Sequence, residues 1–398
     1  MIDFLNNEKC MGCSACVNIC PTQCISLIKN SEGFLYPEVT GKCISCGKCE
    51  KICPIIKNRT EKNSYKQKAY ALCSKSKQIW KESSSGGAYS EICKAVDDDG
   101  KTLFVGAAWD NLSVVQKGCV GYNQIKQFRK SKYISSDPKD SYRIVKDYLD
   151  KGGKVVYCST PCYVAGLKSF LGKDYFNLLT IDLICHGVGS PTVFELCLQE
   201  IEKVYGKKVK KFEFRAKRRI YETDYLTKIT FNDGKFKYLI NDVYTQLFLK
   251  QICLRKSCGE NCAFRNSNRQ GDLTIADFKN LTGVFEHLIG CKNNYSTLVV
   301  NNEKGEKIVW KIKNKVKMFE VGLEVIEQNN PLFFRSTWFS NERDEFFVDI
   351  EKNLVRAKEN MKPMKELKRS YSSKLFSLLP VFMRRKILLK RKNTNGKN

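Results

Sequence analysis

The chain has 398 residues, of which 42% are hydrophobic and 28% charged. This apolar content is sufficient for two or three domains with a full core, so disorder of the whole chain is excluded. The segment Met1 to Lys9 contains no apolar run, and no uncharged apolar stretch reaches about eighteen residues. We therefore predict neither a signal peptide nor a membrane-spanning helix, and the cytoplasm is the expected compartment.

The formal net charge of +27 requires an explanation. Much of it lies in residues 361–398, where Glu366 is the single acid among many Lys and Arg. Nucleic-acid binding is not expected, because the charge is accompanied by no recognised module and no arrangement of aromatics for stacking bases. Apolar and cationic residues interleave in 374–392, which predicts peripheral contact with the inner membrane face. A helix packed on the protein core is the alternative.

Twenty cysteines without a secretory signal indicate metal ligation rather than disulfides. Two segments, Cys10 to Pro21 and Cys43 to Pro54, each read C-x2-C-x2-C-x3-C-P and form an internal duplication. In this spacing three thiolates hold one 4Fe-4S cubane, and the fourth reaches the other. The predicted ligand sets are Cys10, Cys13, Cys16 and Cys53 for one cluster, and Cys43, Cys46, Cys49 and Cys20 for the second. A pair of zinc sites is the alternative, and Cys24 is expected to be a buried apolar residue.

The regions flanking this motif suggest the domain layout. Short strands at 25–29 and 34–39, joined by turn residues, predict a hairpin between the two repeats. The polar stretch 57–68 lacks periodicity and is interpreted as a linker. We divide the chain into an α+β, ferredoxin-like module at 1–60, a linker at 61–68, a second domain at 69–345 and a basic helical tail at 346–398.

Strand-like and helix-like stretches alternate after the linker, which predicts an α/β domain with a mixed, largely parallel sheet. The predicted strands are 102–108, 154–157 and 178–184, and the predicted helices are 140–150, 163–171 and 191–205. Open sheets of this class bind ligands where strands end and helices begin. The candidate functional residues are therefore sought in those loops.

Three such loops are chemically unusual. Ser83 to Gly87 reads SSSGG and opens a predicted helix to Val96, so it could cradle a phosphate, or be an ordinary helix cap. Cys162 in STPCYVAGL lies near a helix N-terminus, where the dipole lowers a thiol pKa; simple packing is the alternative. Cys185 and His186 precede glycines in DLICHGVGSP, and His186 is a candidate proton donor or a structural histidine.

A further cysteine group, CLRKSCGENC, places Cys253, Cys258 and Cys262 within ten residues. Three thiols this close favour metal binding over core packing. They would hold a third cluster with a distant fourth ligand, for which Cys185 is preferred and Cys162 is second. The alternative is zinc or one labile ion, with Cys162 and Cys185 lining another pocket.

Several segments together resemble the beta-subunit family of the coenzyme F420 hydrogenases and dehydrogenases. The matching residues read TPCYVAGL, CHGVGSP, LRKSC and TIADFK, with VGAAWD and SKYISSD also fitting, over roughly residues 1–281. Gly189 stands where the family has a proline. The resemblance implies an iron-sulfur flavoprotein that binds FAD. The candidate cofactor-binding residues are Ser85, Gly86, Gly87, Lys132, Tyr133, Thr160, Pro161, Cys162 and Gly187, and the candidate catalytic residues are Cys162 and His186.

The expected function is that of an FAD-dependent iron-sulfur oxidoreductase. Electrons would enter at two cubanes from a redox partner such as ferredoxin, collect on FAD and reduce an organic acceptor, with polysaccharide biosynthesis as a candidate context. One alternative is a non-catalytic electron-transfer subunit of a larger complex. Another is an F420-dependent dehydrogenase subunit, with coenzyme F420 as an additional cofactor.

Overall fold

The computed structural model describes residues 8–57, 64–217, 225–259, 262–278, 295–335 and 340–366. The predicted linker is described only from residue 64 onward, and the membrane-contact segment 374–392 lies outside the described residues. Within the described ranges, no helix combines the length and apolar character needed to cross a membrane.

The N-terminal module contains two short helices and the predicted hairpin. They are α1 (Ala15–Ile19), β1 (Ile25–Lys29), β2 (Leu35–Val39) and α2 (Lys48–Ile52). Strands β1 and β2 pair antiparallel. The two cysteine repeats share one backbone path: Gly12 and Ser45 have φ of 69° and 52°, and Ser14 and Gly47 have φ of 66° and 68°. The duplication seen in the sequence is therefore also a duplication of conformation.

Twelve further strands are found in the described residues. They are β3 (Lys68–Ser74), β4 (Leu103–Asp110), β5 (Ser113–Val120), β6 (Val155–Ser159), β7 (Leu178–Leu183), β8 (Val209–Glu213), β9 (Thr227–Phe231), β10 (Phe236–Ile240), β11 (Leu273–Phe278), β12 (Tyr295–Val300), β13 (Val316–Val321) and β14 (Lys365–Glu366). Eight form one sheet in the order β13-β3-β12-β11-β7-β6-β4-β5. The other four form an antiparallel sheet in the order β14-β10-β9-β8.

The large sheet is mixed, as expected, but it is parallel only at its centre. Strands β4, β6, β7 and β11 run parallel, whereas β5, β12, β3 and β13 pair antiparallel at the flanks. The central strands are nearly continuous apolar runs because helices cover both faces. The expectation of a mixed α/β sheet is therefore confirmed, although the antiparallel strands at 295–300 and 316–321 on one flank were not predicted.

Helices pack on both faces of this sheet and in a second layer beside it. They are α3 (Lys77–Glu82), α4 (Ala88–Val96), α5 (Ser141–Asp150), α6 (Pro161–Leu171), α7 (Pro191–Tyr205), α8 (Val243–Leu249), α9 (Glu303–Ile312), α10 (Leu323–Asn329), α11 (Glu342–Val348) and α12 (Ile350–Glu359). One apolar cluster joins α4 and α9 to the sheet, and another joins α5 and α6 to its other face. The small sheet packs with α7, α8 and the C-terminal helices in a third cluster.

The N-terminal module rests on the face that carries α5 and α6. Ala15 and Ile52 belong to the same apolar cluster as those helices. Arg143 of α5 donates to the carbonyl of Asn18 over 3.0 Å. On another side, the buried guanidinium of Arg343 makes two hydrogen bonds, of 2.9 and 2.6 Å, to the carboxylate of Glu32. These contacts fix the cysteine loops against the strand ends of the large sheet.

Candidate functional site

The first cysteine cavity lies between the first repeat and the end of the second. It encloses about 410 Å³, and its cysteines are Cys10, Cys13, Cys16 and Cys53. These are the four residues that the spacing assigned to one cubane. The positive φ of Gly12 and Ser14 turns the loop around this cavity, so that three thiols from one short segment face inward. The fourth comes from the end of α2.

The second cavity is the counterpart of the first. It encloses about 770 Å³ and is lined by all four predicted ligands and by a fifth thiol, Cys24: Cys20, Cys24, Cys43, Cys46 and Cys49. Cys24 is buried, as expected, but its Sγ lies 3.4 Å from the Sγ of Cys20. Cys43 and Cys46 are exposed. The second cavity is therefore closer to solvent than the first.

The two cavities differ in the pKa of the cysteines that line them. Burial raises the pKa of Cys13 to about 12 and that of Cys16 well above its ordinary value. At Cys20 burial acts in the same direction, but hydrogen bonds from Thr22 and Cys24 lower the pKa to about 7. Thiolates in the first cavity thus need a bound cation to be stable, and metal binding there would release protons.

A third cavity lies at the carboxyl ends of the central strands. It encloses about 490 Å³, and four cysteines from three chain segments line it: Cys162, Cys185, Cys258 and Cys262. Cys162 lies in the first turn of α6, Cys185 follows β7, and the other two belong to the loop around the 3-10 helix Lys256–Cys258. Both candidate fourth ligands are therefore at the cavity. In the described residues no three His, Cys, Asp or Glu side chains converge on a single-ion site.

Cys253 is not part of this cavity, contrary to the expectation. It is fully buried in the apolar cluster between α7 and α8, together with Cys197 and Tyr244. The reason is local backbone pairing: Leu254 forms an antiparallel bridge with Gly189, and Ser190 N–H donates to the Cys253 carbonyl. This pairing directs the Cys253 side chain into the core.

The third cavity is assembled by sheet topology and by one buried ion pair. Strands β6 and β7 are parallel neighbours, so the loops that follow them meet at the same edge. Asp182, near the end of β7, pairs with Arg269 at 3.1 Å, and both side chains are almost completely buried. Asp182 also accepts from the backbone N–H of Gln270 and Gly271. This ion pair holds the loop that carries Cys262 against the end of β7.

The two candidate catalytic residues have defined surroundings. Burial raises the pKa of Cys162 well above its ordinary value, although a hydrogen bond between the Thr160 hydroxyl and its sulfur, 3.2 Å apart, acts in the opposite direction. The expectation of a low pKa was therefore wrong, because burial outweighs the helix N-terminus. The Nε2 of His186 lies 3.2 Å from the carbonyl of Phe248 and donates to it. That contact suits a structural histidine, and proton donation by His186 stays a prediction.

The first and third cavities are adjacent. Met11 lines both of them. Helix α6 connects them as well, because Cys162 and Gly166 are four residues apart and lie on one helix face. A Cβ atom added at Gly166 would stand 3.0 Å from the Cβ and Sγ of Cys13 and 2.6 Å from the hydroxyl of Tyr142. The glycine in TPCYVAGL thus permits close contact between α6 and the first cysteine loop.

The predicted cofactor-binding residues separate into two groups. Thr160, Pro161 and Gly187 line the third cavity with Cys162. The SSSGG loop lies elsewhere on the same edge: it follows α3, and its Ser84 hydroxyl is 3.2 Å from that of Ser131. Two half-buried lysines adjoin this second group. Burial lowers the pKa of Lys132 and Lys217 to about 7.

Packing within the chain explains several residues of the second group. A Cβ at Gly86 would lie 2.3 Å from the carbonyl oxygen of Leu72, and Gly87 has φ of 98°. Ser85 donates to the carbonyl of Tyr295. The ring of Tyr133 stacks on Phe248, with ring centroids 4.5 Å apart. Both glycines are therefore required by the fold itself.

Sequence reasoning missed Met11, Gly166, Asp182, Arg255 and Arg269. Gly166, Asp182 and Arg255 lay within quoted motifs, whereas nothing local indicated that Asp182 pairs with Arg269. Gly189 also has a structural reason, because its N–H donates to the Tyr133 carbonyl at 3.2 Å. A proline could not make that bond.

Residues 152–322 match the family model for the C-terminal region of the coenzyme F420 hydrogenase/dehydrogenase beta subunit. The resemblance inferred from the motifs is confirmed. The matched residues 152–322 of this chain include all four cysteines of the third cavity. Residues 9–56 match a 4Fe-4S dicluster domain. No curated protein matches the chain.

Among solved structures, a chain of the F420-reducing NiFe hydrogenase complex from Methanosarcina barkeri is similar, with 15% identity and a TM-score of 0.43. The match covers 77% of this chain and 96% of that chain.

Proposed function

We propose that this protein is an oxidoreductase that passes electrons through three four-cysteine iron-sulfur sites to a flavin. The observation that carries the proposal is the third cavity, in which Cys162, Cys185, Cys258 and Cys262 meet beside the first cysteine loop. Met11 forms a wall common to both. Four thiols are the complete donor set of a 4Fe-4S cluster, and each bound cluster would supply one-electron transfer.

The donor sets fit cubanes in number, since the four cysteines of each set line one cavity. Cys10, Cys13, Cys16 and Cys53 would hold the first cluster, and Cys20, Cys43, Cys46 and Cys49 the second. The third set replaces Cys253 of the sequence-based expectation with Cys162. Cys24 is left as a neighbour of the second cluster. The division into a module at 1–60 and a second domain at 69–345 is part of the same proposal.

The order of the three sites follows from exposure and adjacency. Cys43 and Cys46 are exposed, so a redox partner such as ferredoxin would deliver electrons at the second site. The first site lies between the other two, since it shares the dicluster module with the second and Met11 with the third. The third site would thus be the last iron-sulfur cluster from which electrons pass to the flavin.

FAD is the two-electron group in this proposal. Support comes from the family resemblance and from the region of Ser84, Ser131, Lys132 and Lys217. Lys217 donates to the carbonyl of Ser85 at 2.8 Å, and Lys132 donates to three backbone carbonyls. These contacts involve no carboxylate, and a bound phosphate would favour the charged form of both lysines, whose pKa burial lowers to about 7. The acceptor would be an organic molecule, with a sugar or lipid-linked intermediate of polysaccharide biosynthesis as the first class to screen.

Electron transfer from ferredoxin to flavin tests the proposal. Anaerobically purified protein should release FAD on heating, and reduced ferredoxin should bleach the bound flavin in a stopped-flow experiment. Cys162→Ser should retain flavin but slow its reduction at least about tenfold. Cys119→Ser, a change at a cysteine outside all three cavities, should behave as wild type. A protein that takes up no FAD, or a Cys162→Ser variant with normal flavin reduction, would contradict the proposal.

A further inference from the structure

Arg255 is a buried cation between the first and third cysteine cavities. Its side chain is 1% exposed. Nε donates to the carbonyl of Cys10 at 2.9 Å, and an Nη donates to the carbonyl of Leu35 at 3.0 Å. The guanidinium stacks on Tyr36, 4.0 Å from the ring centroid. Three residues further along the chain is Cys258, whose N–H donates to the Arg255 carbonyl.

The charge of Arg255 has no acidic partner in the part of the chain that the structure describes. Among those residues, no carboxylate oxygen lies within 4.0 Å of its guanidinium, which contacts backbone carbonyls and aromatic rings. Two other buried arginines differ in this respect. Arg269 pairs with Asp182 at 3.1 Å, and Arg343 pairs with Glu32 at 2.6 Å. The buried charge of Arg255 therefore needs its own explanation.

A buried and unpaired charge is expensive, and proteins normally place a compensating charge beside it. The candidate anions here are the cysteines: Arg255 bonds to the backbone of Cys10, and although burial disfavours its charge, attraction to the sulfurs of Cys10 and Cys258 contributes to a raised pKa of the guanidinium. Cys10 belongs to the first donor set and Cys258 to the third. A cubane held by four thiolates carries about −2 when oxidised and gains one further negative charge on one-electron reduction, with no bond broken.

We propose that Arg255 is the common counter-charge of the first and third iron-sulfur sites and raises the reduction potential of both. This inference rests on the proposed function. A fixed cation favours the form with the greater negative charge, so Arg255 makes electron acceptance easier at both sites. The electron comes from ferredoxin, or from dithionite in a titration. Arg255 acts through charge and position and contacts no substrate.

Close packing keeps the guanidinium in place. A Cβ added at Gly12 would stand 3.0 Å from an Nη atom of Arg255, so the glycine leaves the space that the cation occupies. The hydroxyl of Ser257 donates to the same Cys10 carbonyl at 2.9 Å. The LRKSC motif thus supplies a cation, a hydrogen bond and a ligand from one short segment.

The test is an EPR-monitored redox titration of the full chain, with total iron measured in each sample. In Arg255→Met, the midpoint potentials of the first and third sites should both shift to more negative values. The second site, identified as the signal lost in Cys46→Ser, should not move. Arg255→Lys restores a charge without the planar fork and should return both potentials toward wild type.

A double variant, Arg343→Gln with Glu32→Gln, is the matched control. It removes a buried arginine and its partner together, so stability should fall while all three potentials stay unchanged. Wild-type iron near twelve per chain with unchanged potentials in Arg255→Met would overturn this inference alone, whereas iron near eight would overturn the third site and the inference with it. If Arg255→Met loses iron, its potentials cannot be compared, and the potentials of the first and third sites in Arg255→Lys become the test. Wild-type potentials at a lowered melting temperature support the charge role, and potentials that fall despite the restored charge refute it.

Discussion

Gly166 offers a sharp test of the contact between α6 and the first cysteine loop. In Gly166→Ala, the new Cβ would stand 2.6 Å from the Tyr142 hydroxyl and 3.0 Å from the Cβ and Sγ of Cys13. Neither neighbour can move freely, because Tyr142 donates to the Tyr163 carbonyl at 2.8 Å and Cys13 would be tied to a cluster. Alanine gains about 1 kcal/mol of helix propensity, whereas overpacking costs about 1–3 kcal/mol. The net loss in unfolding free energy is therefore up to about 2 kcal/mol.

The assay combines thermal unfolding with EPR of the reduced protein. The melting temperature of Gly166→Ala should fall by about 2–4 °C per kcal/mol lost, and the signal of the first cluster should change while that of the second does not. Ser169→Ala in the same helix gains helix propensity without the clash and should not lower the melting temperature. A Gly166→Ala protein with a raised melting temperature and an unaltered first-cluster signal would refute the contact.

Three further predictions concern stability and the second cluster. Arg343→Ala breaks a buried ion pair and should cost about 3–5 kcal/mol in urea unfolding. Arg356→Ala breaks an exposed ion pair with Glu345 and should lower the free energy of unfolding by less than about 1 kcal/mol. Equal losses in the two variants would argue against a special role for the buried pair. Burial lowers the pKa of Lys132 in the folded state to about 7. Between about pH 7 and about pH 10, the unfolded state therefore keeps a proton on Lys132 that the folded state has released. Stability should therefore rise with pH in this window, and Lys132→Met should flatten that rise; parallel curves would count against it. Cys24→Ala should leave total iron unchanged, and a loss of about four irons would make Cys24 a ligand.

The dicluster sites could be predicted from sequence because each donor set depends on local spacing. All eight predicted ligands lie in the two short repeats, four in each, and the proposed exchange of Cys20 and Cys53 follows from the duplication. Helices such as Ser141–Asp150 and Pro191–Tyr205 were similarly predictable, since their start signals and apolar spacing are local.

The third cavity could be predicted only in part, because its cysteines come from three separate chain segments. Spacing suggested that Cys253 belongs with Cys258, but side-chain direction there depends on the bridge between Leu254 and Gly189, a contact distant in sequence. The pKa of Cys162 was misjudged for a related reason. Helix position is visible in a sequence, whereas burial beside three other thiols is not.

Total iron in three proteins tests the central claim most directly. Anaerobically prepared wild type should contain about twelve irons per chain, and Cys258→Ser should contain about eight. Cys253→Ser should retain about twelve, even if its melting temperature falls, because that thiol lies in the apolar core rather than at the cavity. Wild type with about eight irons, or a Cys253→Ser variant that loses about four while Cys258→Ser loses none, would contradict the account.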